Sequence, residues 1–441
     1  MPDRTPPSRP ARRPAPARNP TPASGPASGP ASTPTPAVSD ARLVMAGRRE
    51  ASAGAVLRAV LAHGPVARST IARLTGLSPA SMTGHSTELI ALGLLRDLPE
   101  QIQSNGLGRP HLPVDIDTDR HVVGAVHIAV PHTTVAVLDL RGRVLKSSRI
   151  PHRAGDTPAA SAADTLRHAA RCLLDLLHRY GAGATPLGVG VACGGWVDQD
   201  TGTVVEHAML GWSEVPVRDL LREHTGLPVH VDGHSRALLH GERLFGAARD
   251  ARSVLHLFVG NVVEAAFALD DAAHYGPRSQ AGVIAHLPLA NSAEHCPCGR
   301  TGCFQASVSE RTVTGRAVAT GVVAAHDFPA LLTEARAGTE AAVDLLVERA
   351  RLVGQGAALL IDVFSPELVV VADQAVMALP SVLTALRAEI AVSTRTRFDA
   401  ATAVVPSSFA GDTLAVAGGS AVLDALYRNP LTAVPAPRRH P

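Results

Sequence analysis

The segment Cys296-Pro297-Cys298-Gly299-Arg300-Thr301-Gly302-Cys303 places three thiols within eight residues, and His286 stands ten positions before the first. Three soft thiolates and one imidazole make the four-ligand set of a closed, tetrahedral structural zinc site, with no coordination position left for water or substrate. Pro297, Gly299 and Gly302 supply the tight turns that aim the sulfurs inward. His295 is a rival imidazole, poorly placed to wrap a metal because it adjoins Cys296. The plainer alternative is a metal-free patch of reactive thiols. The expected cofactor is structural Zn2+ on His286, Cys296, Cys298 and Cys303.

Positioning such a site takes a substantial scaffold, and 441 residues allow two or three domains at about 100–200 residues each. Cys172 and Cys193 are isolated in the sequence, which argues against a disulfide framework and for a reducing, cytoplasmic setting. No apolar run approaches the roughly 18 residues of a membrane span, and the Arg/Pro-rich start lacks the apolar core of a signal peptide. Net charge is +2, but residues 1–111 carry 13 arginines against six carboxylates, leaving about −5 for the rest. The basic end is expected to face something anionic.

Residues 1–45 form a Pro/Ala/Ser-rich tail with too few large apolar residues for a core, expected to be disordered. Residues 46–116 then read as a winged helix-turn-helix. Ala55, Val56, Ala59 and Val60 share a helical face, and a short helix starts near Arg68. Gly76-Leu77-Ser78 turns the chain, with Ser78 capping a third helix that begins at Pro79. Met82, Leu89 and Ile90 point inward there, leaving Ser81, Thr83 and His85 on the outer face. Two extended segments flank Asn105-Gly106-Leu107-Gly108-Arg109-Pro110, whose Arg109 suits a narrow minor groove. The expected partner is double-stranded DNA, with Arg68, Ser78, Ser81, Thr83, His85 and Arg109 as candidate contacts. The third helix has no Arg or Lys on its exposed face, so base readout would rest on hydroxyls, histidine and backbone.

Beyond residue 116 the chain alternates strands and helices. Strands at 122–130, 133–138 and 144–150 precede a helix at 158–180 and an apolar strand at 187–192. A similar series restarts at Val229, with strands near 253–259, 263–269 and 367–372 and a long helix at 338–363. Two α/β lobes, about 117–228 and 229–430, with a cleft between them follow from this pattern, and residues 431–441 read as a flexible tail.

Together, the cysteine cluster, Gly282-Val283-Ile284-Ala285-His286 and Val231-Asp232-Gly233-His234 resemble the ROK family. Its members are bacterial sugar kinases and winged-helix repressors with an actin-like, ribonuclease-H-like duplicated fold. The resemblance covers about residues 50–430 and implies the zinc ligands named above. It also exposes departures. Where the kinases have Asp-x-Gly-Gly-Thr, this chain has His127-Ile128-Ala129-Val130-Pro131. The second phosphate loop is Gly260-Asn261-Val262-Val263-Glu264-Ala265, and the third turn is Ala372-Asp373-Gln374. Phosphoryl transfer needs backbone N–H groups close to phosphate and an acidic group for the metal. His234 and Gly233 occupy the places of the catalytic Asp and its preceding Asn.

The sugar-binding positions depart too. Val283 and Gln305 stand where glutamates are usual, and Met209 where an asparagine is expected. A buried sugar hydroxyl left unpaired costs about 1–3 kcal/mol. His234, His286 and Gln305, with His207, remain as candidate ligand contacts. The expected function is a DNA-binding transcriptional repressor, a homodimer or higher homo-oligomer whose non-catalytic lobes serve dimerisation or take a sugar or sugar-derived effector. Two alternatives are a divergent sugar kinase with an accessory helix-turn-helix and a ligand-independent DNA-binding or assembly protein.

Overall fold

The computed structural model describes residues 38–434 apart from 100–111, 131, 153–157, 182, 271 and 291. Helix α1 (Val38–His63) opens the described chain. It therefore corrects the expected tail boundary, since residues 38–45 are helical. After β1 (Val66–Ala67), helix α2 (Arg68–Thr75) stops at Gly76, whose φ of 69° is left-handed. Helix α3 (Pro79–Ala91) starts as the sequence suggests, with Pro in its first turn and Ser78 Oγ accepting the Ser81 N–H at 3.2 Å. Two short antiparallel strands, β2 (Leu95–Asp97) and β3 (Pro113–Ile116), form the base of the wing, β3 lying between β1 and β2. The expected wing tip with Arg109 lies outside the described residues.

The first lobe starts with β4 (His121–Ile128), β5 (His132–Asp139) and β6 (Val144–Pro151), followed by α4 (Pro158–Tyr180) and β7 (Thr185–Cys193). Strands β8 (Trp196–Asp198), β9 (Thr203–His207) and β10 (Trp212–Val215) form a small sheet of their own. Helix α5 (Val217–Thr225), β11 (Val229–Gly233) and α6 (His234–Phe245) follow. The main sheet runs β11-β7-β4-β5-β6. Its central strands are continuous apolar runs because helices cover both faces.

The second lobe contributes β12 (Ser253–Val259), β13 (Val263–Leu269) and β14 (Ala272–Ala273). A long loop leads to α7 (Phe304–Val308), α8 (Glu310–Ala319), α9 (Phe328–Arg336) and α10 (Glu340–Phe364). Strand β15 (Leu368–Ala372), α11 (Gln374–Ala378), α12 (Pro380–Ser393), α13 (Ala400–Ala403) and β16 (Val404–Pro406) complete it. This sheet runs β14-β13-β12-β15-β16.

Two more helices, α14 (Thr413–Arg428) and α15 (Pro430–Ala433), close the described chain. Although it follows the second sheet, α14 packs on β4, β5 and β7 of the first. Gly418 permits that approach, since a Cβ there would sit 2.9 Å from the backbone of Val126. The expected lobe 229–430 therefore returns its last long helix to the first lobe. Residues 430–433, placed at the edge of a flexible tail by the sequence, are helical instead, and Glu50 Oε1 accepts the N–H groups of Leu431 and Thr432 at 2.8 and 3.1 Å.

From Gly47 onward the chain forms one compact unit. Val56 and Leu57 of α1, Leu89 of α3, Leu138 of β5 and Leu423 and Tyr427 of α14 lie in a single apolar cluster. The Tyr427 hydroxyl donates to Leu140 O at 2.7 Å and Arg58 donates to Tyr427 O at 3.0 Å. Arg141 pairs with Asp115, tying the wing base to the first sheet. Helices α1–α3 and the small sheet of β1–β3 thus share their core with the first lobe.

Candidate metal centre and interlobe cleft

The metal corner hangs from β13. Ala265 N–H donates to Gly282 O at 3.0 Å, and a Cβ on Gly282 (φ 91°) would lie only 1.8 Å from Ala265 O, so glycine alone fits. The knuckle itself closes through Cys296 N–H to Arg300 O at 2.8 Å and Gly299 N–H to Cys296 O at 2.9 Å. These turns bring one ligand atom from each of His286, Cys296, Cys298 and Cys303 within 4.8 Å of one another. Cys296 Sγ lies 3.6 Å from His286 Nδ1, and Cys298 Sγ lies 3.6 Å from Cys303 Sγ. Cys296 and Cys303 are buried, while His286 and Cys298 are exposed. His295 does not join the group. The Arg300 guanidinium, 3.5 Å from Cys298 Sγ, holds that thiol down to about 6. The cluster is compatible with a bound metal ion.

The cleft floor has a different character. His127 at the end of β4 stacks on His234 at the start of α6, with ring centroids 4.3 Å apart, and Phe258 leans on His234 from the other lobe at 4.9 Å. His234 Nε2 meets Ile128 O at 3.1 Å and must be the protonated nitrogen. Burial holds His234 down to about 3, and burial followed by His234 itself depresses His127. Both rings are neutral. His234, expected as a ligand contact, is 2% exposed and lines neither the cavity bordered by Arg149 and Arg311 nor the smaller one beside Cys296. His207 is also buried, its Nδ1 accepting the Leu210 N–H at 3.2 Å.

Further along α6, Arg236 pairs with Asp232 (Nε–Oδ1 2.6 Å) and His240 Nδ1 lies 3.2 Å from Asp424. Burial alone would lower His240, but Asp424 and Asp232 outweigh it and raise it to about 9. Helix α6 therefore carries a neutral imidazole at its start and a charged one two turns on.

Several N–H groups in and beside the loops at 260–265 and 372–374 are bonded within the protein. Gly260 N–H donates to Val262 O, Val263 N–H to Gln305 Oε1 at 3.1 Å, and Arg311 N–H to Asn261 Oδ1 at 3.0 Å. Gln305 is thus part of the wall. Its Oε1 is occupied, although its side chain borders the smaller cavity. Glu264 accepts the Gly195 N–H at 2.7 Å, and burial pushes its carboxyl up to about 7. At the third turn, Asp373 pairs with Arg349 at 2.5 Å and caps α11 through the N–H groups of Ala375 and Val376. Glu310 accepts from Asn261 Nδ2 at 3.3 Å and Gln374 Nε2 at 2.8 Å. The sequence reading missed the Glu310 and Arg349 contacts. The Ser309-Glu310 pair at the start of α8 was a visible cap, but its partners lie far away in sequence.

In the winged helix, Ser78, Ser81 and Thr83 are exposed and His85 is half-buried. The Thr83 hydroxyl donates to Pro79 O at 2.9 Å and keeps its lone pairs outward. Arg68 departs from expectation. Its guanidinium donates to Asp97 (2.6 Å), Ser86 Oγ (3.2 Å) and Leu112 O (3.1 Å), so it clamps α2 to α3 and the wing base rather than standing free for phosphate. Arg73 at the end of α2 is exposed.

These features coincide with what comparison with known proteins shows. The ROK family model matches residues 123–425. A transcriptional regulator of Mycobacterium tuberculosis is 33% identical over 404 residues, covering 87% of this chain and 88% of that protein. The chain belongs to the ROK family. A xylose repressor of Caldicellulosiruptor bescii is 25% identical over 337 residues, covering 73% of this chain and 82% of that protein. Among solved structures, a ROK family transcriptional regulator, a homologue of the E. coli Mlc protein, superposes with a TM-score of 0.69 at 21% identity. The match covers 88% of this chain and 98% of that one, and supports the two-lobed fold. Among the described residues no helix is long and apolar enough to cross a membrane.

Proposed function

We propose that the chain is a cytoplasmic, DNA-binding transcriptional repressor whose two-lobed domain senses a small molecule and catalyses nothing. The observation that carries this reading is the core shared by α1, α3, β5 and α14. Through it the winged helix is fixed to the first lobe, so closure of the second lobe on a ligand changes where the winged helix sits relative to the rest of the assembly. The names of the relatives, a transcriptional regulator and a xylose repressor, point the same way. As a homodimer the protein presents two α3 helices to an inverted repeat, with Ser78, Ser81, Thr83 and His85 near the bases and Arg73 and Arg109 near the backbone.

The metal is zinc. With Zn–S of about 2.3 Å and Zn–N of about 2.0–2.1 Å, tetrahedral donors lie about 3.5–3.8 Å apart, and the Cys296–His286 and Cys298–Cys303 pairs here are both at 3.6 Å. His286, Cys296, Cys298 and Cys303 fill all four positions, so the ion shapes the cleft wall and takes no part in chemistry. Kinase activity is not expected, because N–H groups of the loop at 260–265, those of Gly260, Val263 and Ala265, are bonded within the protein.

Titration of a fluorescent fragment of the gene's own promoter region tests the central point. Binding should weaken steeply with salt, as counterion release requires. Affinity no greater than for unrelated DNA would refute the reading.

A further inference from the structure

A cavity of about 910 Å³ opens between the lobes, large enough for a drug-sized molecule. Arg149 on β6 borders it from the first lobe and Arg311 on α8 from the second. Both are exposed, and neither forms an ion pair among the described residues. Two acids on the same wall are engaged by protein amides. Glu310 holds the Asn261 and Gln374 amides, and Asp327 Oδ1 caps α9 by accepting the Ala330 N–H at 3.2 Å. The start of α8 offers no spare donors either, since Asn261 Oδ1 takes the Arg311 N–H and Ser309 Oγ takes the Thr312 N–H. Among the described residues, the cationic donors bordering the cavity are the two guanidiniums, with His132 and His326 beside them.

Cations without partners at a concave wall concentrate positive potential, and a guanidinium matches a carboxylate or phosphate through paired N–H groups. We propose that this cleft takes a small organic anion, a carboxylate or phosphate ester, bridged between Arg149 and Arg311. This rests on reading the cleft as the effector site, and it names the chemical class of the effector. One arginine stands on each lobe, so an anion that engages both binds the closed arrangement better than the open one. That difference in affinity is what lets a ligand shift the lobes.

Three probes with one carbon skeleton separate the possibilities: glucose, gluconate and glucose 6-phosphate, titrated into the full-length, metal-loaded protein at constant ionic strength. Isothermal titration and thermal shift should show binding of gluconate or glucose 6-phosphate and none of glucose. The two anions between them tell carboxylate from phosphate. The double variant Arg149→Gln/Arg311→Gln should lose about tenfold or more in affinity. Its melting temperature without ligand serves as the folding control, and both side chains are exposed. The proposal is overturned if neither anion binds, if glucose binds as well as they do, or if the double variant binds undiminished. Promoter binding by the ligand-free wild-type protein is measured in parallel. Its failure would count against the repressor reading alone, while failure of the anion titrations with promoter binding intact would count against the anion alone.

Discussion

The metal corner and the phosphate-facing loops share a wall, joined where Gln305 accepts the Val263 N–H, yet they arrange polar groups in opposite ways. At the corner, four donors from the 18-residue span His286 to Cys303 lie close together. In the loops, the polar groups are turned on one another: Asp373 to Arg349, Glu310 to Asn261 and Gln374, and Asn261 to the backbone of Arg311. Convergence prepares a group for something that is not protein, whereas mutual satisfaction leaves nothing to offer. The corner is compatible with a metal ion, whereas these loop side chains are engaged within the protein, even though both lie on the same fold.

Removing the metal should produce the largest effect. A structural zinc contributes about 10–16 kcal/mol to small zinc domains, and here its loss should cost on the order of 5 kcal/mol or more, the remaining core sparing part of the fold. Elemental analysis should find one zinc per chain. Cys303→Ser should abolish it and lower the melting temperature, while Cys172→Ser, outside the corner, should leave the metal in place. A folded Cys303→Ser protein with unchanged stability would erase the contrast with the loops.

Asp373 tests the other side. Asp373→Ala strands the Arg349 guanidinium in the interior and removes the cap of α11. Breaking a buried pair in this way costs about 3–5 kcal/mol, measurable by urea unfolding. Replacing both partners with apolar residues, Asp373→Leu with Arg349→Met, should recover much of the loss. If the single variant is as stable as the wild type, the third loop is not closed by this pair.

The two imidazoles of α6 give smaller effects with opposite signs. His234, held down to about 3 by burial, binds a proton in the unfolded chain that it does not bind when folded. Its contribution is therefore lost as pH falls below about 6.5, at about 1.4 kcal/mol per pH unit for one proton. His240, raised to about 9, does the reverse: its contribution is complete below about 6.5 and is lost as pH rises through 9. Melting temperatures from pH 4 to 9 should flatten on the acid side in His234→Phe and on the alkaline side in His240→Gln. Parallel profiles would mean that the cleft floor is not the neutral, closed surface described above.

Much of this was legible because the signals were local. Strands 253–259 and 263–269 and the helix at 158–180 have the bounds expected from apolar runs and periodicity. The Ser78–Pro79 start of α3 and the metal ligands also depend on short spacings. What stayed hidden is long-range. The apolar pattern of α14 says that it packs, not that it crosses back to β4 and β7. Arg68 resembles a phosphate contact until Asp97 and Ser86 are seen beside it. The neutrality of His234 comes from its burial, and the rings against it, His127 and Phe258, stand more than a hundred positions before it and over twenty after it. Helix α1 begins inside a segment whose composition gave no sign of it.

The smallest expected effect is the one that nucleotide should have. A ligand at a hundred times its dissociation constant adds about 2.7 kcal/mol to stability, so a working nucleotide site would be plain in a thermal-shift assay. Magnesium ATP should stabilise the protein no more than magnesium tripolyphosphate at the same ionic strength, because any grip from Arg149 and Arg311 is on charge and is common to both. The nucleoside should add nothing. To cradle a triphosphate, the loop at 260–265 would have to release Val263 N–H from Gln305 and Ala265 N–H from Gly282 O. Opening Ala265 would also disturb the Gly282 turn from which the metal corner hangs. Nucleotide-specific stabilisation, or phosphate transfer to glucose, would show that the loops open after all, and the line between corner and cleft would then have to be redrawn.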